Sequence, residues 1–231
     1  RNRQQELLPV KYYHLMFSVP HQLISLMWQN KEILFDLMFK TAAATLLEIA
    51  ANPKHLGAKI GFLGILHTWG QLINRHPHIH FVVPGGGLSP DHTRWIPLRY
   101  RFLLPVHVLS KVFCGKFIAG LRQAYEKGQL SFHGKCKRLS NKVAFDSFLY
   151  NLSRQDWVVY AKPPFGGPKH VLHYLGRYTH RVAISNHRIL SVTESEVSFR
   201  WKDYKNNNKI RTRTLSCEEF LYRFLQHIFP K

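Results

Sequence analysis

The sequence is short of acidic residues, of cysteine and of long apolar runs. Asp and Glu together number 13 of 231 residues against 33 Lys and Arg, which leaves a formal net charge of +20. Like charges in that excess repel one another in the compact state, so the imbalance points to a polyanionic partner, foremost nucleic acid. The three cysteines, Cys114, Cys136 and Cys217, stand far apart and form no Cys-x-x-Cys pair. This excludes a disulfide frame and a cysteine zinc site, and it is the pattern of thiols in a reducing cytosol. No stretch reaches the roughly 20 uninterrupted apolar residues of a transmembrane helix. The opening residues, Arg1 to Glu6, have no apolar signal region behind them. No membrane partner is expected, and the expected location is the cytoplasm, with action at the nucleoid.

What is present reads as a globular chain, 45% apolar and regularly punctuated by Gly and Pro. Lys11 to Val19 has the aromatic, apolar character of a strand ending at Pro20. Helical spacing follows from His21 to Ala51, and strands are expected at Gly61–Thr68, at His78–Val83 and over Trp95–Phe102. Pro105–Gly128 carries a helical apolar stripe, and a shorter helix is expected near Val143–Leu152, then a strand at Trp157–Tyr160. Gly166-Gly167-Pro168 opens a helix to about His180. Strands are expected at Val182–Ser185, Arg188–Val192, Val197–Tyr204 and Ile210–Leu215, with a turn over Lys205–Asn208. Ser216 and Glu219 fit a capping box that starts a last helix. The whole reads as one α+β domain over 1–231, with a helical insertion around 105–153.

Within Arg75-His76-Pro77-His78-Ile79-His80, alternate strand residues share a face, so His78 and His80 point together while Ile79, Phe81 and Val83 can face a core. Two imidazoles side by side make part of a divalent-metal site. His76 shares their parity, but Pro77 breaks the ladder beside it and ranks it behind them. No acidic residue lies between Glu48 and Asp91, which argues against a carboxylate-assisted zinc hydrolase. The nearest neutral candidates for a third ligand are Gln71 and His67. Further on, Tyr174 and Tyr178 lie four apart, a spacing that puts both phenols on one face of a helix. Lys169, His170, His173, Arg177, His180 and Arg181 surround them, a positive field that favours phenolate and can hold a phosphate.

A His-Ile-His strand followed by Tyr-x-x-x-Tyr resembles the HUH superfamily of single-strand DNA nickases. Leu7-Leu8-Pro9-Val10-Lys11-Tyr12, Leu66-His67-Thr68-Trp69-Gly70-Gln71, His76-Pro77-His78-Ile79-His80 and Tyr174-Leu175-Gly176-Arg177-Tyr178-Thr179-His180-Arg181 resemble, more closely, the two-tyrosine rolling-circle transposases of the insertion sequence ninety-one group. The resemblance implies a central antiparallel sheet with flanking helices, the histidine pair on a central strand and the tyrosines on a helix facing it. It implies Mg²⁺ or Mn²⁺ held by His78 and His80, with Gln71, seven residues before the first histidine, as third ligand. Tyr174 and Tyr178 would then be the nucleophiles of metal-dependent nicking and rejoining through a 5′-phosphotyrosine, acting on single-stranded DNA at transposon ends and target. Such transposases carry a cysteine-rich zinc-binding region ahead of the Leu-Leu-Pro segment and continue past Phe229-Pro230-Lys231. The expectation here is therefore a cutting core lacking that region, and no oligomeric state is implied.

Basic and aromatic residues interleave at Arg99-Tyr100-Arg101-Phe102 and Phe199-Arg200-Trp201-Lys202, where rings can stack bases while Arg and Lys hold phosphates. Arg99, Arg101, Arg200, Trp201 and Lys202 are therefore expected to line the strand path, with Lys169, Arg177, His180 and Arg181. The competing class is a non-catalytic module binding single-stranded nucleic acid, for which the tyrosines and Gln71 would be unnecessary.

Overall fold

Alternating apolar residues build the first sheet and set which side chains leave the core. The computed structural model describes residues 7–98, 104–162, 183–204 and 206–227. In chain order it contains β1 (Tyr12–Ser18), α1 (Ile24–Gln29), α2 (Lys31–Ala51), β2 (Leu63–Trp69), β3 (Arg75–Pro84), β4 (Gly86–Leu88) and β5 (Trp95–Pro97). There follow α3 (Val106–Glu126), α4 (Lys142–Ser153), β6 (Val159–Lys162), β7 (Ile189–Val192), β8 (Glu196–Asp203), β9 (Lys209–Ser216) and α5 (Cys217–Leu225). The fold class is α+β with antiparallel sheets, as the sequence pattern implies. The chain forms two compact units, residues 1–66 with 78–179 and residues 67–77 with 180–231. No described helix is long and apolar enough to cross a membrane.

The first sheet runs β2-β3-β1-β6, so β3 and β1 are its interior strands. Their antiparallel register pairs Leu15 with Phe81, Phe17 with Ile79 and Tyr13 with Val83, all buried on one face. Helices α2 and α3 cover that face. Phe81 meets Phe17 edge-on at 5.6 Å and lies 5.8 Å from Phe39 of α2, and Phe17 meets Phe113 of α3 at 5.2 Å. Gly64 on β2 allows this packing, because a Cβ there would come within 2.6 Å of Phe39 and 2.7 Å of Phe81. On α3, the stripe Leu109, Phe113, Phe117 and Leu121 is fully buried. Ser110 donates to the Trp157 carbonyl at 2.6 Å, which ties α3 to the start of β6.

Four local differences separate the structure from the sequence pattern, and the first two have clear physical causes. The helix expected over 21–51 is interrupted at Asn30, whose side chain donates to Leu26 O and Ser131 O and accepts from Ser131 N at 2.7 Å. A side-chain clamp of this kind competes with the helical ladder. Pro77, expected to halt the histidine strand, lies inside β3. The ladder with β1 begins only at His78, so on that side the missing N–H interrupts no hydrogen bond. The polar segment before α4 is wound into a 3-10 turn over Gly134–Ser140. Ala183–Ser185 forms bends rather than the expected strand, and the helix expected over 166–180 lies outside the described residues.

In the second unit, β7, β8 and β9 form an antiparallel sheet. Val197 and Phe199 of β8 and Leu215 of β9 are buried on the face that receives Phe220 and Phe224 of α5. The β8–β9 turn uses Asn207 and Asn208 at φ 50° and 60°, a left-handed pair that asparagine tolerates well. Ser216 caps α5 by accepting from Glu219 N at 3.2 Å. The register around β3 depends on Phe81. Phe81→Ala is expected to lower stability by about 3–5 kcal/mol, measured by denaturant unfolding, and a loss below about 1 kcal/mol would contradict this packing account.

Candidate metal centre

Because side chains alternate along a strand, burying Ile79, Phe81 and Val83 turns His78 and His80 to the opposite face. Both are 7% exposed, and their rings meet edge to face with centroids 4.7 Å apart. On β2 the parity reads the same way. Gly64 and Leu66 face the aromatic core, so Ile65, His67 and Trp69 face the side that carries the histidines. Strand β2 flanks β3 in the sheet, and a third imidazole joins the pair. His67, His78 and His80 are all buried and each offers a ring nitrogen, the three atoms lying within 4.8 Å of one another. Among the described residues no other group of three His, Cys, Asp or Glu side chains is so gathered.

This donor set is three imidazoles with no carboxylate. Acidic side chains are instead spent in ion pairs elsewhere: Asp36 with Lys40, Glu48 with Lys116, Asp146 with Arg122 and Lys142, Asp203 with Arg211. Imidazoles at this separation can converge on one divalent cation, so the residues present fit a divalent metal that takes nitrogen ligands. Two aromatic contacts orient the rings from behind. His67 stacks on Trp69 at 4.6 Å, and His80 stacks on His14 of β1 at 4.9 Å. His14 Nε2 lies 2.7 Å from His80 Nδ1 in a buried hydrogen bond. His76 shares the strand face, and burial lowers its pKa and favours the neutral ring. It is not one of the three converging residues.

Gln71 is placed differently. It sits in the turn between β2 and β3, where Gly70 N bonds to Asn74 O at 2.9 Å. Its side-chain oxygen accepts from Lys202 N at 3.2 Å, its amide donates to the Tyr204 hydroxyl at 3.4 Å, and Arg188 donates to its carbonyl. Both ends of the amide therefore tie this turn to β8. Nearby, Thr68 donates to His227 Nδ1 at 3.1 Å while His227 Nε2 donates to Ile73 O at 3.1 Å, the tautomer being set by the carbonyl.

Of the expected strand-path residues, Arg200 and Lys202 are exposed on one face of β8, and Trp201 turns to the other face and packs against the Phe199 cluster. Arg200 and Lys202 face solvent together with Thr212 and Ile210 of β9. Tyr174, Tyr178, Lys169, Arg177, His180, Arg181, Arg99 and Arg101 lie outside the described residues. His67 was one of two neutral candidates in the sequence, and strand parity on β2 is the signal that separates it from Gln71. His14 went unremarked there, although Tyr12-His14-Met16-Ser18 carries the same alternation.

Residues 61–231 match the family described as "Putative transposase" (Y2_Tnp). The chain is 47% identical over 230 residues to "Putative transposase y4qJ" of Sinorhizobium fredii, covering 100% of this chain and 58% of that protein. It is 26% identical over 229 residues to the "Transposase for insertion sequence element IS801" of Pseudomonas savastanoi pv. phaseolicola, covering 95% of this chain and 51% of that protein. The chain thus spans little more than half the length of these relatives. No solved structure matches it.

The geometry makes a direct prediction about ligands. In calorimetric titration with Mn²⁺, His67→Ala, His78→Ala and His80→Ala are each expected to weaken binding by more than about tenfold. Gln71→Ala is expected to leave the affinity unchanged. Loss of binding in Gln71→Ala with retention in His67→Ala would reverse the assignment of the third ligand.

Proposed function

The chain belongs to the Y2_Tnp transposase family, and from that premise we propose that it is the cutting and rejoining core of a two-tyrosine, rolling-circle transposase of the HUH type. The observation that carries the reading is the carboxylate-free group of His67, His78 and His80 on one sheet face. We assign these three residues, rather than the pair with Gln71, to a divalent cation. Of Mg²⁺ and Mn²⁺, an all-imidazole set suits Mn²⁺ better, since Mg²⁺ prefers hard oxygen donors. Three neutral ligands leave the charge of a dication uncompensated, which makes the oxygens of a phosphodiester its natural partner. Bound there, the cation would polarise the scissile phosphate and stabilise charge developing on its oxygens.

The nucleophiles in this reading are Tyr174 and Tyr178. A phenol has a pKa of about 10, so it needs a field that favours phenolate. Lys169, His170, His173, Arg177, His180 and Arg181 supply such a field in the sequence around them. The tyrosine oxygen attacks phosphorus, the bond from phosphorus to the 3′ oxygen breaks, and the phenol proton ends on the released 3′-hydroxyl. The 5′ phosphate is left esterified to the tyrosine. One phosphodiester has replaced another, so a 3′-hydroxyl from a different strand can reverse the step without external energy. With two tyrosines, two strands can be held at once. The net charge of +20 and the exposed pair Arg200 and Lys202 support binding of the single strand.

The test is to incubate the protein with end-labelled single-stranded oligonucleotides and Mn²⁺ and to run the products on a denaturing gel. A covalent protein–DNA species is expected, absent in the Tyr174→Phe/Tyr178→Phe double variant and in His78→Ala. An adduct that persists in the double variant would exclude the tyrosines. Binding without any adduct, on strands drawn from the ends of the relatives' elements, would favour the non-catalytic module. For the strand path, Arg200→Gln with Lys202→Gln is expected to flatten the dependence of log affinity on log salt by roughly 0.7 per phosphate contact removed. An unchanged slope would place both residues off the path.

A further inference from the structure

His14 is a buried polar residue that neither the nucleophiles nor the proposed ligand set employs. It lies on β1 at 3% exposure, on the sheet face of His78 and His80 and diagonally across from His80, since the register pairs Met16 with His80 and His14 with Val82. Its Nε2 is 2.7 Å from His80 Nδ1, and the two rings lie nearly parallel, 19° apart, with centroids separated by 4.9 Å. A hydrogen bond between two imidazole nitrogens can carry its proton in only one of two ways. If His14 donates, His80 Nδ1 is the acceptor and a neutral His80 carries its proton on Nε2, leaving no lone pair for a cation at that atom. If His14 accepts, His80 is protonated on Nδ1 and presents an unprotonated Nε2.

We propose that His14 is the positioning residue of the metal centre, the acceptor that fixes His80 in its Nδ1-protonated, metal-binding tautomer and holds the ring in place. The inference rests on the reading that His67, His78 and His80 hold a divalent cation. A ligating histidine ordinarily gives its second N–H to a carboxylate or a carbonyl. In a segment without acidic residues from Glu48 to Asp91, a second imidazole performs that service. Unlike a carboxylate, His14 adds no negative charge, so the centre stays electrophilic toward a phosphodiester. The stacked arrangement also limits rotation of the His80 ring, and the strand register holds the two residues at a fixed separation.

The experiment is a titration with Co²⁺, following its visible absorption bands as a report of imidazole ligation, on the wild type and on His14→Phe, His14→Gln and His80→Ala. His80→Ala is expected to abolish the bands. His14→Phe, which keeps an aromatic ring and removes the acceptor, is expected to weaken Co²⁺ about 10–100-fold, and His14→Gln, which restores an acceptor oxygen, to recover most of that loss. Wild-type affinity in His14→Phe, alongside loss in His80→Ala, overturns the role of His14 and leaves the metal reading standing. Unchanged affinity in both variants overturns the metal reading. A loss in His14→Phe as complete as in His80→Ala would make His14 a ligand and overturn the positioning role. Should His14→Phe fail to fold, ¹⁵N spectra of the wild type loaded with Zn²⁺ decide the matter. They are expected to show His80 protonated on Nδ1 with coupling across the bond to His14 Nε2, and a proton on His14 Nε2 would contradict the proposal.

Discussion

The two-residue period of β3 is the constraint on which everything else depends. Ile79, Phe81 and Val83 must be buried, and β1 pairs with them through Phe17, Leu15 and Tyr13. A slip of one residue would carry all three into the opposite layer and bring the histidines into an aromatic core. Hydrophobic burial on one face thus positions a polar constellation on the other, with no interaction needed between the imidazoles to assemble them. The cost of keeping imidazoles from water is moderate in their uncharged form, while a buried carboxylate in the same place would demand a paired charge.

Most of the secondary structure was legible because the relevant signals are local. The period of α3, the capping pair Ser216 and Glu219, and the alternation of β8 each reside within a few residues. What was not legible depends on partners distant in sequence. Asn30 breaks a helix because Ser131, a hundred residues later, offers it both a donor and an acceptor. Pro77 is tolerated in a strand because β1 ends opposite His78. At the site, His78 and His80 were readable from parity alone. Counting back seven residues leads to Gln71, a residue that lies in the turn and uses its amide to hold Lys202 and Tyr204. Counting by strand parity leads to His67, and to His14 on β1.

The charge distribution and the site chemistry are complementary. An excess of cations disfavours compaction and is useful only if a polyanion is bound. Six of the described acidic residues pair with a Lys or Arg, and no carboxylate joins the three histidines that lie together. A cation held by neutral ligands then finds its counter-charge in the substrate and not in the protein. Membership of the transposase family agrees with the proposal that a DNA phosphate is that substrate. His14, which we propose as the positioning residue, likewise places no negative side chain beside the three histidines.

The central claim is that the His67, His78 and His80 side chains form one divalent-metal centre. Anomalous diffraction from crystals soaked in Mn²⁺, recorded on either side of the manganese absorption edge, tests it most directly. The account predicts a single strong peak bonded to a ring nitrogen of each of the three, at roughly the 2.0–2.2 Å of metal–imidazole bonds, with Gln71 still engaged to β8. A peak coordinated by Gln71 in place of His67, or the absence of a peak at the three histidines, would contradict it.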